Sequence, residues 1–278
     1  MLTSPRWLLL GRRLVPVTPP PVSVFDASVF QGLGLFETVG CQDGRPLLWR
    51  WHQERLLVSA KELFGASPRL PEEGDLCRLL MAEGLNRKAA ALRVVWWVGR
   101  RQTLSWAAPY RPPGSKRKRG VELVSFVQPS TPLCAFKTTS YLPLKLTAWQ
   151  AANQGATAVL VEPSGEVREA DHANLFAVFG NTIVTPPAPP RALPGVLRRF
   201  CLEALPGCGF SVEERDFTLS QLQSADGAFL TSSLSGVVPV RRIDGQDLPP
   251  PEGVIRALEA FGIPAPGYAR AVLQNEKS

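Results

Sequence analysis

The chain has 278 residues, of which 45% are hydrophobic and 20% are charged, a balance typical of soluble globular proteins and not of disordered or fibrous chains. No apolar run approaches the roughly 20 residues that a membrane-spanning helix requires, and arginines flank the very short apolar patch near the start, which argues against a secretory signal. The sequence therefore predicts a cytoplasmic protein with no membrane partner.

The cysteines and histidines disfavour a disulfide framework and a metal site. The five cysteines form no C-x-x-C pair and are odd in number: Cys41, Cys77, Cys134, Cys201 and Cys208. Scattered cysteines of this kind favour reduced thiols in a cytosol. With only His52 and His172 available, a histidine-rich metal site is also disfavoured, so no metal is predicted.

The formal net charge of +7 raises the possibility of a nucleic-acid partner. Much of that charge lies in local clusters, including the run SKRKRG at Ser115–Gly120. Because this run follows PYRPPG, it is interpreted as a solvated loop, and nucleic-acid binding is disfavoured. A positive field equally suits an enzyme that handles anionic metabolites.

The first 107 residues predict a smaller domain that mixes helices and strands. The dipeptide Asp43-Gly44 is a hairpin turn signal after the first strand. Apolar residues recur on one helical face before Gly65, which predicts a helix that ends there. The predicted elements are the strands Phe36–Cys41 and Leu92–Val98 and the helices Trp51–Phe64 and Pro71–Leu85.

Residues 108–120 are predicted to form an interdomain loop, because proline, glycine and basic residues are concentrated there. Residues 121–278 are predicted to form the larger domain. Strands and helices mix there without strict βαβ alternation, which favours an α+β fold. Its predicted strands are Val121–Val127, Thr157–Glu162, Asn174–Phe179, Ala228–Ser232 and Gly236–Val240, and its helices are Pro143–Asn153, Pro194–Leu205 and Glu252–Phe261.

The stretch AFKTTSYLPLKLTAW, residues 135–149, contains two lysines, Lys137 and Lys145. Lys145 falls inside a predicted helix and is interpreted as a solvated lysine. Lys137 follows an extended apolar stretch, a place where reactive side chains are common. Composition and spacing alone do not separate the two lysines further.

Four motifs in order resemble those of the class IV pyridoxal-phosphate-dependent aminotransferases. They are FDASVFQGLGLFETV followed by HQERL, FKTTSYLPLKLTAWQAANQGATAVLVEPSGEVREADHANLFAV, ALPGVLRRFCLEA and FLTSSLSGVVPV. Together they extend from about residue 22 to residue 243. The resemblance implies the two-domain fold type IV of D-amino-acid aminotransferase, pyridoxal 5'-phosphate between the domains, and a homodimer.

The resemblance also implies the groups that hold the cofactor ring. Lys137 opens K-T-x-x-Y and would form the Schiff base with the cofactor, which requires its neutral amine. Glu169 would contact the pyridine nitrogen, with Asn174 beside it in the E-x-x-x-x-N-x-F element. A carboxylate there keeps the nitrogen protonated, so that the ring accepts electrons.

The resemblance implies three contacts to the cofactor phosphate. They are the Arg55 side chain in HQERL, the loop that leads into the helix at ALPGVLRRF, and a turn in FLTSSLSG. Free backbone N–H groups at a helix start bind phosphate well. Where the family usually has threonine, this chain has Leu197, so one hydroxyl donor is missing. The phosphate residues expected at the junction and the turn are Gly195, Val196, Leu197, Ser232 and Ser233.

The reaction is predicted from smaller differences among family members. Phe36-Glu37-Thr38 lacks the G-I-R that follows F-E in branched-chain enzymes, and VGRRQTLSW lacks the histidine of the D-amino-acid enzymes. The chain most resembles 4-amino-4-deoxychorismate lyase, with an anionic amino-carboxylate substrate and Thr38 as a second catalytic candidate. An aminotransferase acting on D- or branched-chain amino acids is the alternative. Leu33 and Ser140 also depart from the family pattern, which leaves substrate details open.

Overall fold

The computed structural model describes residues 5–18, 23, 25–111 and 119–260. The chain divides into two compact units. Unit 1 comprises Met1–Pro112 and Phe136–Ser140, and unit 2 comprises Pro113–Ala135 and Tyr141–Ser278. A five-residue segment from the middle of the chain therefore belongs to the unit built from its first part.

Unit 1 contains an antiparallel sheet of six strands among its described residues, in the order β2-β1-β6-β5-β3-β4. The predicted strands β3 and β5 and the Asp43-Gly44 hairpin are confirmed. The strands are β1 (Trp7–Leu10), β2 (Arg13–Pro16), β3 (Gly34–Gln42), β4 (Arg45–Pro46), β5 (Ala90–Trp97) and β6 (Leu104–Pro109).

The described residues of unit 1 form the helices α1 (Ala27–Phe30), α2 (Trp49–Phe64) and α3 (Glu73–Ala82). α2 packs against β3 and ends at Gly65, whose φ of 59° is left-handed as the sequence predicts. α3 is shorter than the predicted helix at both ends. It begins only after Glu72, whose backbone is extended and whose N–H donates to the Asp75 carboxylate.

Unit 2 contains a mixed sheet with the order β12-β11-β10-β13-β14-β7-β8-β9, and β15 pairs with β14. The predicted bounds of β7 and β10 match the structure, whereas the four-residue strands β9, β11 and β12 were not predicted. The strands are β7 (Val121–Val127), β8 (Thr157–Val161), β9 (Val167–Ala170), β10 (Asn174–Phe179), β11 (Thr182–Thr185), β12 (Ser211–Glu214), β13 (Gly227–Ser232), β14 (Gly236–Ile243) and β15 (Gln246–Asp247).

The helices of unit 2 lie close to their predicted positions. They are α4 (Leu142–Asn153), α5 (Val196–Ala204), α6 (Leu219–Gln223) and α7 (Glu252–Ala260). The predicted start of α5 at Pro194 is wrong by two residues, because Gly195 has extended backbone and forms the N-cap. Aliphatic side chains from β7, β10, β13 and β14 form the core of this unit.

The predicted interdomain loop overlaps the end of a strand, because β6 continues to Pro109. Of the basic run, Lys116, Arg117 and Lys118 lie outside the described residues, as does Phe261, the predicted end of the last helix. In the ranges that the structure describes, no helix is both long and apolar enough to cross a membrane. All five cysteines are free.

Candidate active site

Lys137 lies in a short extended segment, residues 136–140, that pairs with the first residues of β3. The Phe36 N–H donates to the Lys137 carbonyl at 2.9 Å, and the Thr139 N–H donates to the Gly34 carbonyl at 2.8 Å. Leu35 and Thr138 form an antiparallel bridge. These contacts fix the backbone of Lys137 against the strand that carries Thr38.

Two glycines allow this close pairing. A Cβ at Gly34 would lie 2.6 Å from the Trp96 carbonyl oxygen and 3.2 Å from Thr139 Oγ1. Gly32 has a φ of +68°, and a Cβ there would lie 2.9 Å from Ser140 Oγ. The hydroxyls of Thr139 and Ser140 both donate to the Gly32 carbonyl. The motif Q-G-L-G therefore shapes the contact between β3 and the Lys137 segment.

One face of the unit 1 sheet combines the side chains of Phe36, Thr38, Arg93 and Lys137. Phe36 and Thr38 alternate along β3 and therefore share a face. Arg93 is directly opposite Thr38 on β5, and its guanidinium donates to Thr38 Oγ1. Lys137 Nζ lies 4.7 Å from the centre of the Phe36 ring. The guanidinium carbon of Arg93 lies 5.7 Å from the same ring centre, so an amine and a hydroxyl-bound guanidinium both lie near one aromatic ring.

Arg93 is a candidate that the sequence analysis missed. Its neighbours Leu92 and Val94 are fully buried in the unit 1 core, so strand alternation places Arg93 on the opposite face. The signal in the sequence that could have identified Arg93 was a single arginine inside an otherwise apolar strand. Without the pairing of β3 with β5, that signal did not connect Arg93 with Thr38.

On the opposite face of β3, Glu37 binds two residues of α2. The guanidinium of Arg55 donates through Nε and Nη2 to the two carboxylate oxygens, at 2.8 Å and 2.6 Å. His52 Nδ1 lies 2.7 Å from Glu37 Oε2. The side chain of Arg55 is only 10% exposed, so Arg55 is not an exposed surface arginine.

Burial alone would raise the pKa of Glu37, but the Arg55 charge and the hydrogen bonds from His52 and Arg55 lower it to about 2. Burial lowers the pKa of His52 below its ordinary 6.5, against the opposing effect of Glu37, and the charges of Arg55 and Lys137 lower it further. At neutral pH the carboxylate is therefore ionised and the imidazole neutral. Since a carboxylate only accepts hydrogen bonds, Nδ1 carries the imidazole proton.

In unit 2, Glu169 and Asn174 form a buried polar pair next to the loop before α5. Asn174 Nδ2 donates to Glu169 Oε2 at 3.3 Å and to the Leu193 carbonyl at 2.8 Å. The Leu193 N–H also donates to Glu169 Oε2, at 3.2 Å. Both side chains are less than 10% exposed. The structure therefore brings the predicted ring-binding carboxylate and asparagine into contact.

The predicted phosphate junction is the start of α5. Gly195 is the N-cap, and it supplies no side-chain cap to the first N–H groups of Val196 and Leu197. A Cβ at Gly195 would lie 1.9 Å from Asn174 Oδ1, so the site requires glycine. The Leu197 side chain is buried. Backbone N–H groups at a helix start, with no side chain on the neighbouring glycine, are well suited to bind a phosphate.

Thr231, Ser232 and Ser233 lie where β13 turns toward β14. Thr231 pairs with Asn174 across β13 and β10, and its Oγ1 is buried with no hydrogen-bond partner in the described part of the chain. Ser232 Oγ accepts from the Ser235 N–H at 3.2 Å. A buried hydroxyl without a partner next to Asn174 fits a site that accepts a polar group. The start of α5 and this turn thus present N–H and hydroxyl groups of the kind that bind a phosphate.

Lys145 is exposed on α4, as predicted from its helical position. The predicted site residues therefore separate by unit. Lys137, Thr38 and Arg55 belong to unit 1, and the remaining predicted residues belong to unit 2.

Comparison with known proteins identifies the family. The profile described as Amino-transferase class IV matches residues 34–243. A Methanocaldococcus jannaschii protein, provisionally named a branched-chain-amino-acid aminotransferase, is 30% identical over 86% of this chain and 88% of its own. The aminodeoxychorismate lyase of Bacillus subtilis is 25% identical over 80% of this chain and 82% of its own.

A solved structure has the same fold. The PLP-bound form of a hypothetical aminotransferase from Mycobacterium tuberculosis superposes with a TM-score of 0.77, covering 91% of this chain and 99% of that one, at 22% identity. The predicted α+β fold and its fold type are thereby confirmed. The chain belongs to the class IV aminotransferase family. This family and the PLP-bound structure support the predicted cofactor, pyridoxal phosphate.

Proposed function

We propose that the protein is a pyridoxal-phosphate-dependent lyase that converts 4-amino-4-deoxychorismate into 4-aminobenzoate and pyruvate. The observation that carries this proposal is the Thr38 hydroxyl, which shares a sheet face with Phe36 and accepts a hydrogen bond from Arg93. A hydroxyl polarised by a guanidinium can donate a proton to a leaving oxygen. Elimination needs such a donor near the base.

In this proposal, Lys137 and Thr38 divide the proton transfers. The bound cofactor supplies an electron sink for the carbon that bears the amino group. The Lys137 amine removes the proton from that carbon. The bond from the neighbouring ring carbon to the enol oxygen then breaks, and that oxygen takes a proton from Thr38 or Lys137. The enol becomes pyruvate, and the ring becomes aromatic.

Arg93 serves two purposes on this face. Its hydrogen bond to Thr38 Oγ1 stabilises negative charge on that oxygen when the proton leaves. The guanidinium has five donors, so it can also pair with a substrate carboxylate. The net charge of +7 favours the approach of an anionic substrate.

We assign the cofactor contacts as the family resemblance implies. Glu169, oriented by Asn174 and the Leu193 N–H, provides the carboxylate for the ring nitrogen. Arg55, Ser232, Ser233 and the backbone at residues 195–197 provide the phosphate donors. Backbone N–H groups compensate there for the hydroxyl that Leu197 lacks.

We also infer a homodimer as the working form. Leu142, Leu146 and Trp149 follow one side of α4 and are 76%, 51% and 63% exposed. Large apolar side chains in such a row favour contact with another protein surface. Size-exclusion chromatography with light scattering measures the oligomeric state, and a monomer at micromolar concentration would contradict the inference.

The second candidate is an aminotransferase, and the M. jannaschii relative favours it. An aminotransferase passes the amine to a keto acid, whereas the lyase needs no second substrate. The purified protein with cofactor is therefore assayed with 4-amino-4-deoxychorismate for 4-aminobenzoate and with amino acids plus 2-oxoglutarate for glutamate. Release of 4-aminobenzoate without a keto acid is expected. Amine transfer with no 4-aminobenzoate would overturn the lyase proposal.

A further inference from the structure

The buried ion pair of Glu37 with Arg55 has a geometry that the assigned roles leave unused. Glu37 is 1% exposed in the middle of β3, and both of its carboxylate oxygens are bound by Arg55. His52 adds a third hydrogen bond to Oε2 from the preceding turn of α2. Residues three apart share a helix side, so one strand carboxylate holds two α2 side chains.

The pair fixes the direction of the Arg55 guanidinium. A guanidinium is planar and has two edges with paired N–H donors, one formed by Nε and Nη2 and the other by Nη1 and Nη2. Glu37 takes the edge formed by Nε and Nη2, so the plane cannot rotate without breaking two hydrogen bonds. The Nη1 donors then point in one direction. An arginine held in this way loses less side-chain entropy when it binds an anion.

The charges indicate that Glu37 orients Arg55 and does not add to the positive charge of the site. Glu37 is ionised and offsets the Arg55 charge, while His52 is neutral. An anion at Arg55 therefore gains directed N–H bonds more than long-range attraction. A phosphate, with oxygens that match the guanidinium fork, is the chemical group suited to such donors.

We propose that Glu37, supported by His52, is a positioning residue that holds Arg55 in the orientation that recognises the phosphate of the cofactor. The inference rests on the phosphate role proposed for Arg55. Glu37 itself lies on the core face of β3 and acts only through the guanidinium. The chemical class selected is the phosphorylated pyridoxal over the unphosphorylated one.

The test compares pyridoxal phosphate with pyridoxal, which lacks the phosphate. Each is titrated into cofactor-free protein, and the dissociation constant is measured from the absorbance change. Glu37→Gln keeps the shape, but its amide nitrogen cannot accept a hydrogen bond from Arg55 or His52. The dissociation constant for pyridoxal phosphate is expected to rise about 10- to 100-fold, the equivalent of one charge-assisted hydrogen bond, with less than about a threefold change for pyridoxal.

Asp75→Asn is the matched control. Asp75 is also 1% exposed in unit 1 and also pairs with two arginines, Arg12 and Arg78. A change in unit 1 stability alone would affect both variants alike. The ratio of the two dissociation constants is expected to stay at the wild-type value in Asp75→Asn.

A double variant tests whether Glu37 acts through Arg55. Arg55→Lys removes the fork and is expected to weaken pyridoxal phosphate selectively. Adding Glu37→Gln to Arg55→Lys should then cost less than about threefold more, because coupled residues are not additive. If Glu37→Gln does not fold, Glu37→Asp is used instead. It keeps the negative charge but shortens the side chain by one methylene, so a smaller selective loss of affinity for pyridoxal phosphate is expected.

Equal weakening of both ligands by the Glu37 variant, the same loss in Asp75→Asn, or full additivity with Arg55→Lys would each overturn the inference. These measurements need no turnover. A wild type that binds pyridoxal phosphate but releases no 4-aminobenzoate would overturn the proposed lyase function and leave this inference standing. A wild type that binds the two ligands equally would overturn the inference and leave the lyase proposal to its own assay.

Discussion

The candidate residues of unit 1 and those of unit 2 differ in the kind of group they offer. In unit 1 the candidate groups are side chains bound by charged side chains, as in the contacts of Arg55 with Glu37 and of the Thr38 hydroxyl with Arg93. In unit 2 the groups at the start of α5 are backbone N–H donors, and their shape depends on Gly195 and Asn174. Side-chain networks respond to pH and to charge, whereas backbone donors respond mainly to steric change.

The largest effect is expected from a methyl group in unit 2. Gly195→Ala would place a Cβ 1.9 Å from Asn174 Oδ1, so the loop or the asparagine must move. Retention of pyridoxal phosphate should fall by about 100-fold or more, because steric strain of about 1–3 kcal/mol adds to the loss of aligned donors. Equilibrium dialysis of the cofactor measures this loss.

Gly207→Ala is the control for that substitution. Nothing lies within 4 Å of a Cβ at Gly207, which also belongs to unit 2. Cofactor retention should be unchanged there. Wild-type retention in Gly195→Ala would contradict the steric account of the phosphate junction.

A smaller effect is expected when the Arg93 guanidinium of unit 1 is removed. Arg93→Gln deletes the charge that polarises Thr38 and that we propose pairs with a substrate carboxylate. The value of kcat/KM for 4-aminobenzoate release should fall about 10- to 100-fold, while cofactor binding stays within about threefold of the wild type. Steady-state kinetics and a cofactor titration are measured on the same preparation.

Arg50→Gln provides the comparison for Arg93, because Arg50 is also in unit 1 but is 78% exposed. Its kinetics should match the wild type. If Arg93→Gln keeps the wild-type kcat/KM, then Arg93 has no part in the reaction.

The smallest predicted effect is on the pH dependence of stability. The pKa of His52 is lowered on folding, so the unfolded chain binds a proton first and stability falls as the pH drops below 6.5. The pKa of Glu37 is lowered from 4.5 to about 2, so a second loss occurs between those two values. Each proton contributes a slope of up to about 1.4 kcal/mol per pH unit.

Urea denaturation at a series of pH values measures these losses. His52→Gln should remove the component that begins at pH 6.5 and leave the component below 4.5. A His52→Gln protein with the wild-type pH profile would show that His52 does not titrate between the folded and unfolded states.

The sequence was sufficient for elements with a strong local pattern. The bounds of β7 and β10 were predicted from apolar runs, and the end of α2 from Gly65, because each depends on neighbouring residues. Short strands were missed. β1 has four residues and pairs through Leu9 with Ser105, a partner that no local pattern identifies.

The candidate site follows the same rule. The order of motifs identified Lys137 and Glu169, but nothing local placed Lys137 beside β3. That contact depends on hydrogen bonds such as Thr139 to Gly32, which join positions 107 residues apart. Glu37 and Arg93 were missed for the same reason, since their partners Arg55 and Thr38 are distant in sequence.

The central claim is that Lys137, and not Lys145, is the lysine that binds the cofactor. The most direct measurement is the visible absorbance of the purified protein with pyridoxal phosphate, before and after borohydride reduction, followed by mass spectrometry of the reduced peptide. The wild type and Lys145→Ala should be yellow and carry the label on Lys137, whereas Lys137→Ala should be colourless after dialysis. A yellow, labelled Lys137→Ala protein would contradict the account.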